Sequence, residues 1–438
     1  MKSIALISLG CPRNFVDSER MLALLGSHGY IISSDPYEAD YLLVNTCGFI
    51  APAVKESYEV IAELAEIKRR TGAKLIVCGC LSQRIPDQLF LEEEIDAVVG
   101  PDMMDRLVEI IAETERGNRS FSVRKKVCFD LRPQPRLLLS LPSAVLKVNE
   151  GCDNHCSYCT LPMIRGPLQS VPEKDLLQEA EELASAGVEE LIIAGQDSTA
   201  YGIDLGKKEG LAELLKKLSS FGFQWIRVMY AHPARITDRL LDVMANTSGV
   251  CRYLDLPIQH VHPDILRAMG RPALDYKILI SRIRKAVPGI ALRTTLITGF
   301  PGETEAHFAF LLNFVQEALF ERLGVFPYYR EEGTPAFTLS SQVPVKVRKV
   351  RAEKIMAAQK EISARYMASL IGRRLQVLVE KKGIRTSTAR SEFDAPEIDC
   401  VVTLQGVHLP GTFLSAKVTK SFPYRLFANV VSEDSFSA

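Results

Sequence analysis

A chain of 438 residues with 47% apolar residues is long enough for two to four domains with sizeable cores. Its 53 basic residues balance 53 acidic ones, so no bulk field steers it toward nucleic acid, and no apolar run nears the roughly 18 residues of a membrane span. The apolar stretch Ile4 to Leu9 before Cys11 is shorter than the roughly 7–15-residue core of an export signal, so a cytoplasmic protein is expected, with its cysteines as thiols and not a disulfide framework.

Residues 1–118 read as a doubly wound parallel α/β domain. "SIALISLG", "DYLLVNT", "AKLIVCG" and "DAVVG" are short runs of Ile, Val and Leu, the composition of strands buried on both faces. A helical pattern runs from Val54 to Arg70. Residues 119–142, "RSFSVRKKVCFDLRPQPRLLLSLP", break both periodicities and read as a solvated connector. Residues 143–370 alternate strand and helix. Six strand candidates, "AVLKV", "ELIIAG", "WIRVMY", "YLDLPIQ", "LRTTLITGF" and "RLGVFPYY", predict a parallel sheet, doubly wound or curved into a partial barrel. The first helix of this region carries Ser170 and Glu173 at capping-box spacing. Glu303 to Phe320 places Phe308, Leu311, Leu312, Val315 and Leu319 on one face, and 344–370 reads as one long charged helix. Residues 371–438 turn to short strands, "LQVLVE", "CVVTL", "TFLSAKVTK" and "RLFANVV", which predict a small all-β barrel.

The chemistry lies in the cysteines. "EGCDNHCSYCT" holds Cys152, Cys156 and Cys159 in C-x3-C-x2-C spacing, directly after a strand, where parallel α/β folds bind ligands. Three thiolates leave one coordination position open, as reactive metal sites do and closed structural ones do not. A zinc site with His155 as fourth ligand is the alternative, but His155 sits between two of the cysteines. Cys11, Cys47 and Cys80 each follow the C-terminal end of a predicted strand. Three parallel strands would bring those ends to one edge, although cysteine is also a common core residue. Cys78 competes with Cys80, but it lies within its strand and Cys80 follows Gly79 nearer the tip. Cys128, Cys251 and Cys400 have no companions and read as structural.

With Tyr158 before its last cysteine, the central motif resembles that of the radical S-adenosylmethionine superfamily. There three cysteines bind a 4Fe–4S cluster, and S-adenosylmethionine chelates the remaining iron and yields a 5′-deoxyadenosyl radical. The order of motifs resembles the methylthiotransferases, which carry an N-terminal cluster domain, a central partial (β/α)6 barrel and a C-terminal TRAM barrel. "SLGCPRNFVDSE", "VNTCGFI", "GCLSQR", "LPMIRGP", "AGQDSTAYG", "RTTLITGFPGET", "GVFPYYREEGTPA" and "DAPEID" are similar to the RimO type. That resemblance implies methylthiolation of the β-carbon of an aspartate in small-subunit ribosomal protein S-twelve. It implies two 4Fe–4S clusters, one on Cys11, Cys47 and Cys80 and one on Cys152, Cys156 and Cys159. It also implies S-adenosylmethionine as methyl donor and radical source, a low-potential electron donor such as flavodoxin or ferredoxin, and a sulfur donor. Tyr158, Gln196, Asp197, Arg293 and Gly299 are the expected cofactor contacts, with Gly302 either another or an ordinary turn. A monomer is expected.

Two other readings compete: a MiaB-like tRNA methylthiotransferase with the same chemistry, and a metal-stabilised RNA- or ribosome-binding protein without turnover. Residues Glu392, Asp394, Glu397 and Asp399 favour the first reading over the tRNA enzyme, because an exposed acidic loop suits a basic protein and repels phosphate.

Overall fold

The apolar runs of the first hundred residues become neighbours because each is buried on both faces. In the computed structural model, which describes residues 1–431, they are four of six parallel strands: β1 (Ser3–Ser8), β2 (Ile31–Ile32), β3 (Tyr41–Thr46), β4 (Lys74–Gly79), β5 (Ala97–Val99) and β6 (Ser120–Ser122). Their order is β2-β1-β3-β4-β5-β6. Alternate residues serve opposite faces: Leu42, Val44, Leu75 and Val77 pack on the helix Ala51–Thr71, whereas Tyr41, Leu43, Ile76 and Cys78 pack with Met21, Leu25, Leu107 and Ile110 of two other helices. This is the doubly wound arrangement expected. The two strands that carried no sequence signal are short edge pieces, β2 exposed and β6 the polar Ser-Phe-Ser.

The central region has β7 (Ser143–Lys147), a two-residue ladder of β8 (Asn149–Glu150) with β9 (Gln169–Ser170), then β10 (Glu190–Ala194), β11 (Trp225–Val228), β12 (Val250–Asp255), β13 (Ala291–Thr298) and β14 (Arg322–Pro327). All six expected strands form and pair in parallel in chain order, β14-β13-β12-β11-β10-β7. The helices between them share one core on one face, which gives the open six-unit β/α barrel. The other face of the sheet carries Val145, Ile192, Trp225, Tyr253 and Ala291, packed with Val16 from the first domain and Leu378 and Ala395 from the last.

Ser170 and Glu173 do not form a capping box. Ser170 is held in the β8–β9 ladder, its hydroxyl accepts from the Gly202 N–H, and the helix Glu173–Ser185 opens on Pro172. A capping box forms instead between Thr304 and His307, at the head of Glu305–Ala318. After the long helix Val345–Ser369 come β15 (Arg374–Lys382), β16 (Thr386–Ser391), β17 (Val401–Gln405), β18 (Phe413–Phe422) and β19 (Arg425–Val430), closed in the order β15-β16-β17-β19-β18. The unforeseen strand, β16, reads Thr-Ser-Thr-Ala-Arg-Ser and carries no large apolar residue that could mark it. Residues 432–438 of the 371–438 segment lie outside the described residues. Among the described residues no helix is long and apolar enough to cross a membrane.

The connector is more than solvated chain. Arg136 is buried between Glu19 of the first domain, at 2.5 Å, and Glu179 of the second, at 2.9 Å, and donates to the Val145 carbonyl. It straps the two α/β units together.

Candidate functional site

In the first sheet the chain runs outward from β1 in one direction to β2 and in the other to β3. Open α/β sheets bind ligands at the strand ends beside such a reversal. Cys11 follows β1, Cys47 follows β3, and Cys80 follows β4 as the first residue of a short helix. These ends are packed closely. A Cβ on Gly10 would lie 2.9 Å from the Cβ of Cys47 and 3.1 Å from its sulfur, and one on Gly48 would lie 2.9 Å from the Cys80 backbone. Asn14 pins the edge by donating to the carbonyls of Leu9, Asn45 and Thr46. Burial pushes the Cys47 thiol up to about 12, assisted by Cys80 and Cys11. Burial also acts on Cys11, but Arg13, the Asn14 N–H and Arg165 outweigh it and bring that thiol below its ordinary value. Cys78, by contrast, is fully buried in the sheet core.

The second set stands on the loop after β8. Asn154 donates to the Cys152 sulfur at 3.2 Å and to Asp197 at 2.8 Å, and Arg235 bridges both Asn154 and Asp197. Arg271 reaches the Cys156 sulfur at 3.8 Å. Burial pushes Cys159 up to about 12, with Cys156 adding to the effect. The ring of Tyr158 packs with Ile265, Met269, Phe300 and Tyr328. His155 is exposed with a left-handed φ of 49°. Amide and guanidinium donors are aimed at sulfur in both sets, at Cys152 and Cys156 in one and at Cys80 in the other.

The short helix Leu161–Arg165 connects the surroundings of the two sets. Thr160, next to Cys159, donates to the carbonyl of Phe49, two residues after Cys47. Glu331 of the central region accepts from the Ala51 N–H and pairs with Arg84 at 2.6 Å. Arg165 is buried and donates to the Cys80 sulfur at 3.3 Å, to Asp17 at 3.0 Å and to Asn14 at 3.2 Å. Lys147, on β7, pairs with Asp17 at 2.5 Å and with Glu150. Burial would raise the Glu150 carboxyl, yet Lys147 and Arg165 hold it down to about 2. Sequence reasoning assigned no role to Arg13, Asp17, Lys147, Glu150 or Arg165. A signal was present: a lysine inside the apolar run "AVLKV" is costly unless paired.

Other expected contacts differ in kind. Gln196 donates to Glu150 at 3.1 Å, which places it beside the central network. Asp197 is 2% exposed and its carboxylate is occupied by Asn154, Arg235 and Thr199; it orients the cysteine loop. Arg293 turns to the face of the sheet that carries Tyr253 and Ala291 and pairs with Asp255 at 2.9 Å and Asp399 at 3.3 Å, so its charge is already met within the protein. At Gly299 the missing side chain makes room for another residue of the chain. Its φ is +70°, and a Cβ there would lie 2.3 Å from the Cγ of Arg348 on the long helix, so the close approach is to that side chain. Gly302 has a φ of +84° and open space around it, the conformation of an ordinary turn.

The acidic loop is corrected most. Asp394 is 1% exposed and bound to Arg322 at 2.6 Å. Asp399 accepts from Tyr253 at 2.6 Å and faces Arg293. Glu392 is half-buried, and its carbonyl accepts from Arg227. Burial pushes the carboxyls of Glu392 and Asp399 up. Only Glu397 is exposed. Three of the four residues therefore dock the small barrel onto the central sheet and present no acidic surface to a partner.

Three sequence families match the chain: Uncharacterized protein family UPF0004 over residues 3–100, the Radical SAM superfamily over 146–315 and the TRAM domain over 371–431. The second brings with it S-adenosylmethionine and a 4Fe–4S cluster. Among solved structures, a radical S-adenosylmethionine methyltransferase, TsrM from Kitasatospora setae, superimposes with a TM-score of 0.55 at 16% identity, over 76% of this chain and 77% of that one; it shares the fold. The ribosomal protein uS12 methylthiotransferase RimO of Desulforamulus reducens is 42% identical over 98% of this chain and 100% of its own. That of Caldanaerobacter subterraneus subsp. tengcongensis is 42% identical over 97% and 99%. With one cysteine set at the ends of three parallel strands, the other on a single loop, and likeness of this degree along the whole length, the chain belongs to the RimO family of radical S-adenosylmethionine methylthiotransferases.

Proposed function

We propose that this enzyme attaches a methylthio group to the β-carbon of an aspartate in ribosomal protein uS12. The observation that carries the reading is the link between two three-thiol sets: Thr160, next to Cys159, holds the Phe49 carbonyl near Cys47, and the helix Leu161–Arg165 ends in a guanidinium on the Cys80 sulfur. One set, Cys152, Cys156 and Cys159, would hold the cluster that works with S-adenosylmethionine. The other, Cys11, Cys47 and Cys80, would hold a second 4Fe–4S cluster as the station for transferable sulfur. When bound, these groups supply reductive cleavage of S-adenosylmethionine and sulfur transfer, the chemistry needed at a C–H bond too weakly acidic for any side-chain base.

The chain's own residues position and shield. Asn154 and Arg271 direct hydrogen bonds at Cys152 and Cys156, and Asp197 with Arg235 fixes Asn154. Arg165 does the same for Cys80 while tying it to Asp17. Because Asp17 and Lys147 belong to different domains and are buried together, the two edges are held at one separation, which proximity catalysis requires. A low-potential flavodoxin or ferredoxin would deliver electrons, a separate donor would replenish sulfur, and the setting would be the cytoplasm.

Mass spectrometry of uS12 and of tRNA, from cells with and without this gene, tests the assignment. The methylthio mass is expected to vanish from uS12 alone. Its loss from tRNA, with uS12 unchanged, would assign the enzyme to nucleic acid.

A further inference from the structure

Arg13 is the second residue of the helix Pro12–Ser27 and is 9% exposed. Its Nε and Nη1 are buried without a hydrogen-bond partner. The guanidinium lies 5.4 Å from the ring centre of Tyr230, a residue held at a left-handed φ of 57° at the end of β11. Arg13 follows Cys11 by two residues in the first domain while Tyr230 follows β11 of the central sheet, so the guanidinium lies where the two cysteine-bearing units meet. The nearby carboxylates are taken. Asp17 is shared by Lys147 and Arg165, and Glu150 by the same two cations. Of three buried cations around two carboxylates, Arg13 is the one with no carboxylate of its own. Unmade hydrogen bonds of a buried charged group are costly, so packing alone does not account for this placement.

We infer that Arg13 is the receptor for a carboxylate on the side chain being modified, and thereby determines which residue the enzyme accepts. This rests on the reading above that the modified side chain is an aspartate. In that residue the carboxylate is bonded directly to the β-carbon, so a carboxylate held on Arg13 fixes the reacting carbon between the two sulfur edges. A neutral amide of the same shape would accept a weaker hydrogen bond and leave the cation uncompensated. The rival explanation is that Arg13 only offsets thiolate charge at Cys11.

The test uses the full-length reconstituted enzyme and two peptides spanning the uS12 site, one with the target aspartate and one with asparagine in its place. Binding is read by fluorescence anisotropy, with methylthiolation of the aspartate peptide and iron content measured on the same preparations. The wild-type enzyme is expected to bind the aspartate peptide about ten- to a hundredfold more tightly, the range for a hydrogen bond to a charged group. Arg13→Gln is expected to bring the ratio close to one by weakening the aspartate peptide alone, and Arg13→Lys to retain part of it. A wild-type ratio of one overturns the inference. So does an Arg13→Gln enzyme that weakens both peptides equally, or loses iron with the ratio intact, since either assigns Arg13 to charge compensation. If Arg13→Gln does not fold, the Arg13→Lys ratio decides, and a value equal to wild type in a lysine that cannot reproduce the guanidinium geometry counts against the inference. A wild-type enzyme that modifies tRNA and neither binds nor modifies the peptides removes the uS12 reading, and the role of Arg13 falls with it. An aspartate peptide that is modified, with selectivity indifferent to Arg13, removes the Arg13 role alone.

Discussion

Cys78 and Cys80 are two residues apart and meet opposite surroundings. Cys78 is sealed in the core of the first sheet, where burial pushes its thiol up to about 12. Cys80 opens a helix and accepts a hydrogen bond from Arg165. Alternation along a strand would put both on one face; they differ because β4 ends at Gly79 and the chain turns into a helix before Cys80 is placed. Cys80→Ala is therefore expected to lower bound iron to about half, given two four-iron clusters, and Cys78→Ala to leave it unchanged. Reductive cleavage of S-adenosylmethionine without protein substrate should persist in both. Iron and sulfide analysis under anaerobic conditions reads the difference, and loss of iron from Cys78→Ala alone would exchange the two roles. The charged residues around Cys80 act as a unit, because Asp17 is shared between Lys147 and Arg165. Removal of any one of the three would leave a buried charge uncompensated.

At the level of elements, the loop Glu392–Asp399 is a joint. Asp394 takes Arg322 of β14, Asp399 takes Arg293 of β13, and beside them Glu190 of β10 is held by Arg227 and Arg390. Trp225 adds an edge-on contact with Phe413 at 4.7 Å. Breaking a buried pair from one side costs about 3–5 kcal/mol, whereas replacing both partners by apolar residues is often neutral. Asp394→Asn is expected to destabilise the enzyme by that amount in denaturant titration, and Arg322→Met with Asp394→Leu to recover most of it. A loss below about 1 kcal/mol in the single variant would mean that the pair is loosely held. This loop also marks the limit of what the sequence disclosed. The cysteines were legible because each follows its own strand, and strand runs are local patterns. The partners of Asp394 and Asp399 were not, because Arg322 lies 72 residues from Asp394 and only tertiary folding joins them. Gly299 misled for the same reason: its neighbour Arg348 comes from a helix that begins at Val345. β16 was missed because a strand in a tight barrel is made by small side chains as well as large ones.

Considered as one molecule, the enzyme is three bodies fastened at two seams. The upper seam joins the two cysteine-bearing units through Asp17, Arg136 and Glu331, and the lower seam joins the small barrel to the central sheet. Neutral composition led to the expectation of no electrostatic preference. The lower seam changes that balance, because it draws Glu392, Asp394 and Asp399 inward and, among the described basic residues of the barrel, buries only Arg390. Arg373, Lys381, Lys382, Arg385, Lys417 and Lys420 are exposed, against Glu397 as the one exposed carboxylate of the barrel among the described residues. The protein is thus polarised: its isoelectric point is about 7.0, but one end behaves as a cation. On a sulfonate column at pH 7 it should be retained and then released by salt, as the Debye length shrinks from about 10 Å at 0.1 M toward 3 Å at 1 M. Replacing Lys381, Lys382 and Arg385 by glutamine should bring elution markedly earlier. Passage of the unmodified protein straight through the resin would show that the two ends are electrically alike. A neutral chain that adheres to anionic matrices at one pole would be oriented by any anionic surface before its cysteine edges come into play.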